Sequence, residues 1–414
     1  MIPADQNPHR GSDQTGQRAN RPLHLAVVTE TYPPEINGVA NTLFHMVEGL
    51  AERDHRVMLL RPAKARSERE SHEHGGVLEI PTSGMPLPFY QGLQVGLPAS
   101  RVMSKAFRDA RPDLLYIATE GPLGISAQRV ARRLRIPLVA GFHTNFQTYS
   151  KHYGVGLFAP AVLAYLRRFH NRCDATLVPT RALAEELSAR QFQRLSVWPR
   201  GVDTALFSPA RRNRERRTSW GLDDDGLAVV YVGRVAPEKN IGLAINAFNA
   251  IRERSSQARL VLVGDGPELA SLRRSFPDFV FTGARTGTDL AEHYASGDLF
   301  LFPSLSETFG NVVTEAMSSG LPVVAFNLAA AREHIRDGFN GMNADAGNET
   351  DFIRQATRAA TDPALREELG RKARETALEL GWPKMIMHLE QVFLETLKTS
   401  GRNGAHENMV AAAE

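Results

Sequence analysis

The chain has 414 residues, 42% of them hydrophobic and 23% charged, and carries a formal net charge of +3. That length is too great for one ordinary core and suits two domains of about 180 residues each, with the composition of a soluble globular protein. The basic clusters Ala131–Arg135 and Tyr165–Arg172 lack the interleaved aromatics of a nucleic-acid binder, so nucleic acid is not an expected partner.

Residues 1–21 are polar and rich in Gln, Asn, Arg and Gly; they read as a disordered leader without a secretory signal, and residues 400–414 read as a disordered tail. The first domain is expected over 22–200. Leu23–Glu30 (LHLAVVTE) predicts a buried parallel-type strand, followed by the loop TYPPEINGVA and an amphipathic helix to about Arg53. His55–Pro62 is the second strand, and the Pro/Gly-rich stretch Ala63–Ser100 reads as an irregular excursion over the open end of the sheet. Asp113–Thr119, Pro137–His143 and Ala175–Thr180 are further strands, each followed by a helix. The single cysteine, Cys173, excludes an internal disulfide, is consistent with a reducing compartment, and is expected to be a small buried residue.

In Trp198–Pro209 the residues Pro, Gly and Asp break the alternation, which marks an interdomain hinge. The five arginines within Arg211–Arg217 read as a solvated surface loop. The second domain, over 201–381, restarts the pattern with Leu227–Gly233, Leu260–Gly264, Phe279–Gly283, Leu299–Pro303 and Pro322–Phe326. Strand and helix alternating with short connections imply a doubly wound parallel sheet in each half, an α/β fold class, with ligands bound outside the carboxyl ends of the strands. The helical tail, 382–399, has no strand to follow.

The strongest motif is Glu307 and Glu315, separated by seven residues in Pro303–Phe326 (PSLSETFGNVVTEAMSSGLPVVAF). Glu307 falls in the loop after a strand, and Glu315 falls about a turn and a half into a helix running from about Gly310 to Ser319. The amides of Phe309, Gly310, Asn311 and Val312 are helix-start donors, and Gly310 permits close approach of a ligand to the backbone. Carboxylates bind sugar hydroxyls and a helix start binds phosphate, so the pair suits a sugar attached to phosphate.

This Glu-x7-Glu, with Phe-Gly two residues behind its first Glu, resembles the donor site of retaining GT-B glycosyltransferases of family 4. The resemblance covers most of Leu23–Leu397 and implies two Rossmann-like domains facing a cleft, with the tail crossing back to the first. Arg234 and Lys239 in GRVAPEKN match the family's diphosphate clamp, where two cations stabilise the charge that develops as the sugar bond breaks. Gly38, at the start of the first helix, would present amides to the same diphosphate; many relatives have two glycines where this chain has Asn37-Gly38. The resemblance assigns His143 a contact to the donor sugar, and Asn145 is a weaker candidate for the acceptor. HTNF with a downstream HYG is similar to members that put mannose, glucose or sulfoquinovose on diacylglycerol-type lipids. The loops Gly264-Asp265-Gly266-Pro267 and Phe281–Thr286, with Arg285 and Thr286, line the base pocket by the same resemblance, and Glu315 takes the ribose hydroxyls. Where many relatives carry Gly-Gly after Pro322–Phe326, this chain has Ala329–Glu333 (AAARE).

No obligatory metal and no cofactor is expected. Asp223–Asp225 precedes a strand, at the wrong end of the sheet, and His72 and His74 show no converging carboxylate in the sequence. The longest apolar run of note, Gly154–Leu166, has 13 residues against the ~20 that cross a bilayer. Extended to Arg172, it reads equally as an interfacial segment at anionic lipid or as a core helix with solvated arginines. The expected function is therefore a cytoplasmic, peripherally membrane-associated glycosyltransferase. It would move a hexose from a nucleotide-diphosphate sugar, GDP-mannose first and a UDP-hexose second, to a lipid or glycolipid. A non-catalytic nucleotide-sugar-binding module and a GT-B epimerase are the rival readings. No carboxylate nucleophile stands out on the acceptor side, which favours front-face attack.

Overall fold

The computed structural model describes residues 21–35, 37–63, 70–86, 94–143, 159–223 and 225–400. The first half holds β1 (His24–Val28), β2 (Arg56–Pro62), β3 (His72–His74), β4 (Val77–Thr82), β5 (Gly84–Pro86), β6 (Gln94–Gly96), β7 (Leu114–Ile117), β8 (Leu138–Gly141), β9 (Ala175–Val178) and β10 (Leu195–Val197). Eight of these form one sheet in the order β10-β9-β8-β7-β1-β2-β4-β3. It is parallel except at its edge, where β3 runs antiparallel to β4.

The second half holds β11 (Ala228–Val232), β12 (Arg259–Val263), β13 (Val280–Gly283), β14 (Leu299–Phe302), β15 (Val323–Phe326) and β16 (Met342–Ala344). They form an all-parallel sheet in the order β13-β12-β11-β14-β15-β16. Strands such as Ala228–Val232 and Leu299–Phe302 are buried along their whole length, as required of a parallel sheet covered by helices on both faces. The fold is thus two doubly wound α/β domains.

Two sequence expectations change. The stretch between β2 and the helix Ser100–Ala110 is not simply an irregular excursion: VLEIPT pairs in parallel with β2 and extends the main sheet. Val77 and Glu79 are buried in alternation and Thr82 is buried too, a pattern that Pro81 obscures in the sequence. Nor is Arg211–Arg217 a solvated loop. Arg217 is buried in the short helix Arg214–Ser219, donating to Asp298 at 2.8 Å and to Gly226 O at 2.6 Å. Arg216 pairs with Asp289 and Glu292, each at 2.7 Å.

The helix Trp382–Thr399 packs on the first domain although it follows the second. Its Trp382, Ile386, Leu389 and Phe393 share one core with Leu25, Val27 and Tyr116, each such burial contributing about 1.5–3 kcal/mol. Glu390 anchors it to Arg53 and to His55, the latter at 3.2 Å, and Trp198 Nε1 donates to Met385 O at 2.9 Å. The two chain crossings between domains are stitched together, Val202 N donating to Leu380 O at 3.0 Å. They touch so closely that a Cβ on Gly201 would lie 2.6 Å from the Trp382 ring. Among the described residues no helix is long and apolar enough to cross a membrane.

Candidate active site

A parallel sheet opens its ligand crevice where the connections of neighbouring strands diverge, at the carboxyl ends. In the second sheet that point lies between β11 and β14, and in the first between β1 and β7. The loop after β11 carries Arg234 and Lys239, and the loop after β14 carries Glu307. On the facing side stand the loop after β1, with Gly38, and the end of β8, with His143.

Lys239 closes a 3-10 turn, Pro237–Lys239, that Asn240 terminates in the left-handed region at φ 54°. The turn aims the ammonium across the crevice: Nζ donates to Glu307 Oε1 at 2.5 Å and to Ser306 O at 3.4 Å. Their side chains are only 18% and 15% exposed, so the pair is shielded enough to hold its geometry. Arg234 is different. It is 54% exposed and meets Glu238 at 3.2 Å, a contact that water weakens and a phosphate can outcompete.

The loop after β14 ends at Gly310, left-handed at φ 91°, and the helix Asn311–Ser318 begins there with no side chain capping it. Its first amides are the orphan donors of a helix start. Phe309 is buried, and its carbonyl accepts from Ala330 N at 2.7 Å, which ties this loop to the segment after β15. Glu315 accepts from Tyr294 Oη at 2.9 Å, and burial raises its carboxyl to about 7.

The loop after β12 lies directly on the loop after β11. A Cβ on Gly264 would stand 1.9 Å from Gly233 O, and one on Gly266 would stand 2.3 Å from Val235 O. Asp265 turns inward to the Gly266 amide at 2.7 Å. Arg285 and Thr286 are exposed, Arg285 folding back on Thr282 O at 2.7 Å.

In the first domain, the Asn37 side chain caps the helix Gly38–Ala51, accepting from Val39 N at 3.0 Å and Ala40 N at 2.8 Å. The residue that replaces a glycine of the family pattern thus already satisfies two helix-start donors. His143 Nε2 meets Tyr116 Oη at 2.9 Å, and Arg200 Nη2 meets His143 Nδ1 at 3.4 Å. With Arg200 donating, Nδ1 is the acceptor and the Nε2 proton faces Tyr116. Burial, then the Arg200 charge, hold this imidazole down to about 3, so it stays neutral. Asn145 lies outside the described residues, as do residues 154–158 of the apolar run; the helix Ala159–His170 buries Leu166, Phe169 and His170.

Sequence reasoning missed three residues here. Arg200, in the hinge, is 5% exposed and lies between His143 and the Phe309 ring, 5.8 Å from the latter. An arginine amid Val197, Trp198, Pro199 and Val202 was the available signal. Glu30 and Glu120 lie in the loops just after β1 and β7. Burial raises Glu30 to about 7, with Leu123 N donating to it at 3.4 Å, and Glu120 meets His170 Nε2 at 3.1 Å.

One metal expectation is corrected: a carboxylate does converge on His72 and His74. Glu79 faces His72 across the β3–β4 pair, and ligand atoms of all three lie within 4.8 Å. Glu79 is nevertheless held by Arg61 at 2.8 Å, and the group sits on the sheet edge, away from the crevice. Cys173 is buried and free, its thiol pushed up to about 12 by burial.

A family model described as Glycosyltransferase Family 4 matches residues 36–206, and one described as Glycosyl transferases group 1 matches residues 226–362. The chain is 34% identical over 379 residues to a GDP-mannose-dependent alpha-mannosyltransferase of Mycobacterium tuberculosis, covering 89% of this chain and 97% of that one. It is 28% identical over 319 residues to an alpha-monoglucosyldiacylglycerol synthase of Streptococcus pneumoniae, covering 73% and 71% respectively. The solved sucrose-phosphate synthase of Thermosynechococcus elongatus superposes with a TM-score of 0.74 at 19% identity over 91% of this chain and all of that one, which identifies the GT-B fold.

Proposed function

The chain belongs to glycosyltransferase family 4 and transfers a hexose from a nucleotide sugar; from that premise we propose that the donor is GDP-mannose, with a UDP-hexose second, and the acceptor a lipid or glycolipid at the cytoplasmic membrane face. The mannosyltransferase relative supports the donor and the glucosyldiacylglycerol relative supports the acceptor. The observation that carries the site reading is the shielded Lys239–Glu307 pair at the point where the connections of β11 and β14 diverge.

In this reading Glu307 accepts from hydroxyls of the donor sugar, and Lys239 fixes the direction of its carboxylate. Arg234, Lys239 and the uncapped helix start at Gly310, Asn311 and Val312 take the diphosphate. Charge developing on the leaving phosphate meets these preset donors at no cost in reorganisation. The loops at Gly264–Gly266 and Arg285–Thr286 border the base, and Glu315 binds the ribose. The acceptor hydroxyl attacks the anomeric carbon on the face the diphosphate leaves. The carbon–phosphate oxygen bond breaks, and the departing oxygen takes the acceptor proton, so the configuration is retained. Glu30 and Glu120, the carboxylates on the acceptor side, are engaged with the Leu123 amide and His170, which favours this route over a covalent one. Cations and amides carry the charge neutralisation, so transfer is expected to survive a chelator.

Incubating the protein with radiolabelled GDP-mannose or UDP-glucose and extracted lipid tests the reading. Lys239→Ala or Glu307→Ala should cut turnover by about 10²–10³, the weight of a lost transition-state contact. Near-normal transfer by either variant removes the pair from the mechanism.

A further inference from the structure

Arg200 belongs to neither crevice loop. It comes from the connection between domains, and 95% of its surface is buried, the complement of its 5% exposure. A guanidinium does not give up its proton, so a charge is held there. Among the described residues no carboxylate lies within ion-pair distance of it. Nη2 reaches the neutral His143 ring at 3.4 Å, and among the described residues buried Nε has no hydrogen-bond partner. Burial pulls its pKa down to about 10, only partly offset by Tyr116 and by the charge of Glu307. A buried cation whose charge is only partly offset costs stability, and an arriving anion would relieve that cost.

The surroundings say which anion. A Cβ placed on Gly38 would lie 3.4 Å from Arg200 Nη1 and 3.5 Å from Asn311 Nδ2. The starts of two helices, one from each domain, therefore meet at this guanidinium. Asn311 Oδ1 is also buried with no partner among the described residues, so the same spot asks for a hydroxyl donor beside the anionic oxygens. A phosphate bonded to a sugar offers both.

We propose that Arg200 is a third cationic ligand of the donor diphosphate, binding the phosphate attached to the transferred sugar and supplied by the interdomain connection itself. The proposal rests on the nucleotide-sugar site described above. It makes donor binding a contact to both domains and to the segment that joins them.

Titration calorimetry of the full chain without acceptor tests this, using GDP and UDP against the matching monophosphates, for the wild type, Arg200→Met and Arg200→Lys. The better-binding diphosphate should bind Arg200→Met about 10–100-fold more weakly, the weight of a charged hydrogen-bonding contact, with Arg200→Lys in between. Monophosphate affinity should stay within about twofold. The ligand-free Arg200→Met protein should melt no lower than the wild type, because an unpaired buried charge has been removed. Unchanged diphosphate affinity overturns the inference while leaving the Lys239–Glu307 site standing. A parallel loss for monophosphate and diphosphate with a lowered melting point also overturns it, making Arg200 structural. If neither diphosphate binds the wild type, the donor site and this inference fall together.

Discussion

Glu315, the proposed ribose ligand, shows how one buried side chain ties stability to pH. Its carboxyl, ordinarily near 4.5, is raised to about 7 by burial, with Tyr294 donating to it. Between those values the unfolded chain has lost this proton and the folded chain has kept it. Stability therefore declines as pH rises through that window, by up to about 3 kcal/mol, and levels off above it. Glu315→Gln keeps an acceptor for Tyr294 without the titration. The variant should match the wild type at pH 4 and exceed it at pH 8 by about 2–3 kcal/mol in urea unfolding, while binding the donor more weakly. Equal stability at both pH values would show that the carboxylate stays ionised in the fold. His143 stands at the opposite extreme. Held near 3, it contributes no titration between pH 5 and 8, and it acts as a neutral hydrogen-bonding ring.

At the scale of elements, helix starts decide what each loop can bind. The helix Asn311–Ser318 starts uncapped after a left-handed glycine, whereas Gly38–Ala51 starts under the Asn37 carboxamide. Asn37 also donates to Thr31 Oγ1 at 2.8 Å, fixing the loop before it. Asn37→Ala should lower stability by about 1 kcal/mol in thermal melts, and Asn37→Gly by only a few tenths. An equal loss in both would mean that the loop contact, and not the cap, matters. These elements were legible to unequal degrees. Uninterrupted apolar runs announced five strands of each sheet, bounded by turn residues, while the short strands β3, β10 and β16 carried no such run. The loop from Glu307 to Gly310 was legible because its chemistry is contiguous in sequence. Arg200, Glu30 and Glu120 were not, because they lie far apart in sequence and share one end of the first sheet only after the loops that follow β1, β7 and β10 are folded. β4 escaped notice for a related reason: Pro81 reads as a breaker, yet its register partner Arg61 leaves it in the sheet.

Across the whole molecule, the two domains are joined by two chain crossings and a small set of polar contacts at the crevice. Thr308 Oγ1 reaches His143 O at 3.5 Å, and Glu333 Oε1 accepts from Arg181 N at 3.0 Å and Ala182 N at 3.4 Å. Glu333 belongs to AAARE, the segment that departs from the family's glycine pair, and its carboxylate sits at the start of the helix Arg181–Ala189 in the other domain. A carboxylate at an exposed helix start contributes about 0.3–1 kcal/mol. That is small against a core but large for an equilibrium between joined and parted domains, where 1 kcal/mol changes the ratio about fivefold. The helix Trp382–Thr399 gives no freedom of its own, since its apolar face is locked into the first domain, so any parting of the domains bends at Gly201 and Gly381, where the crossings touch. Glu333→Ala should therefore leave unfolding free energy almost unchanged yet increase the radius of gyration of the ligand-free protein in small-angle scattering. Saturating nucleoside diphosphate should return the variant to the wild-type profile, because the donor then supplies the bridge between Arg200, Gly38 and the Gly310 helix start. Identical ligand-free profiles for variant and wild type would assign the joining of the domains to the chain crossings alone.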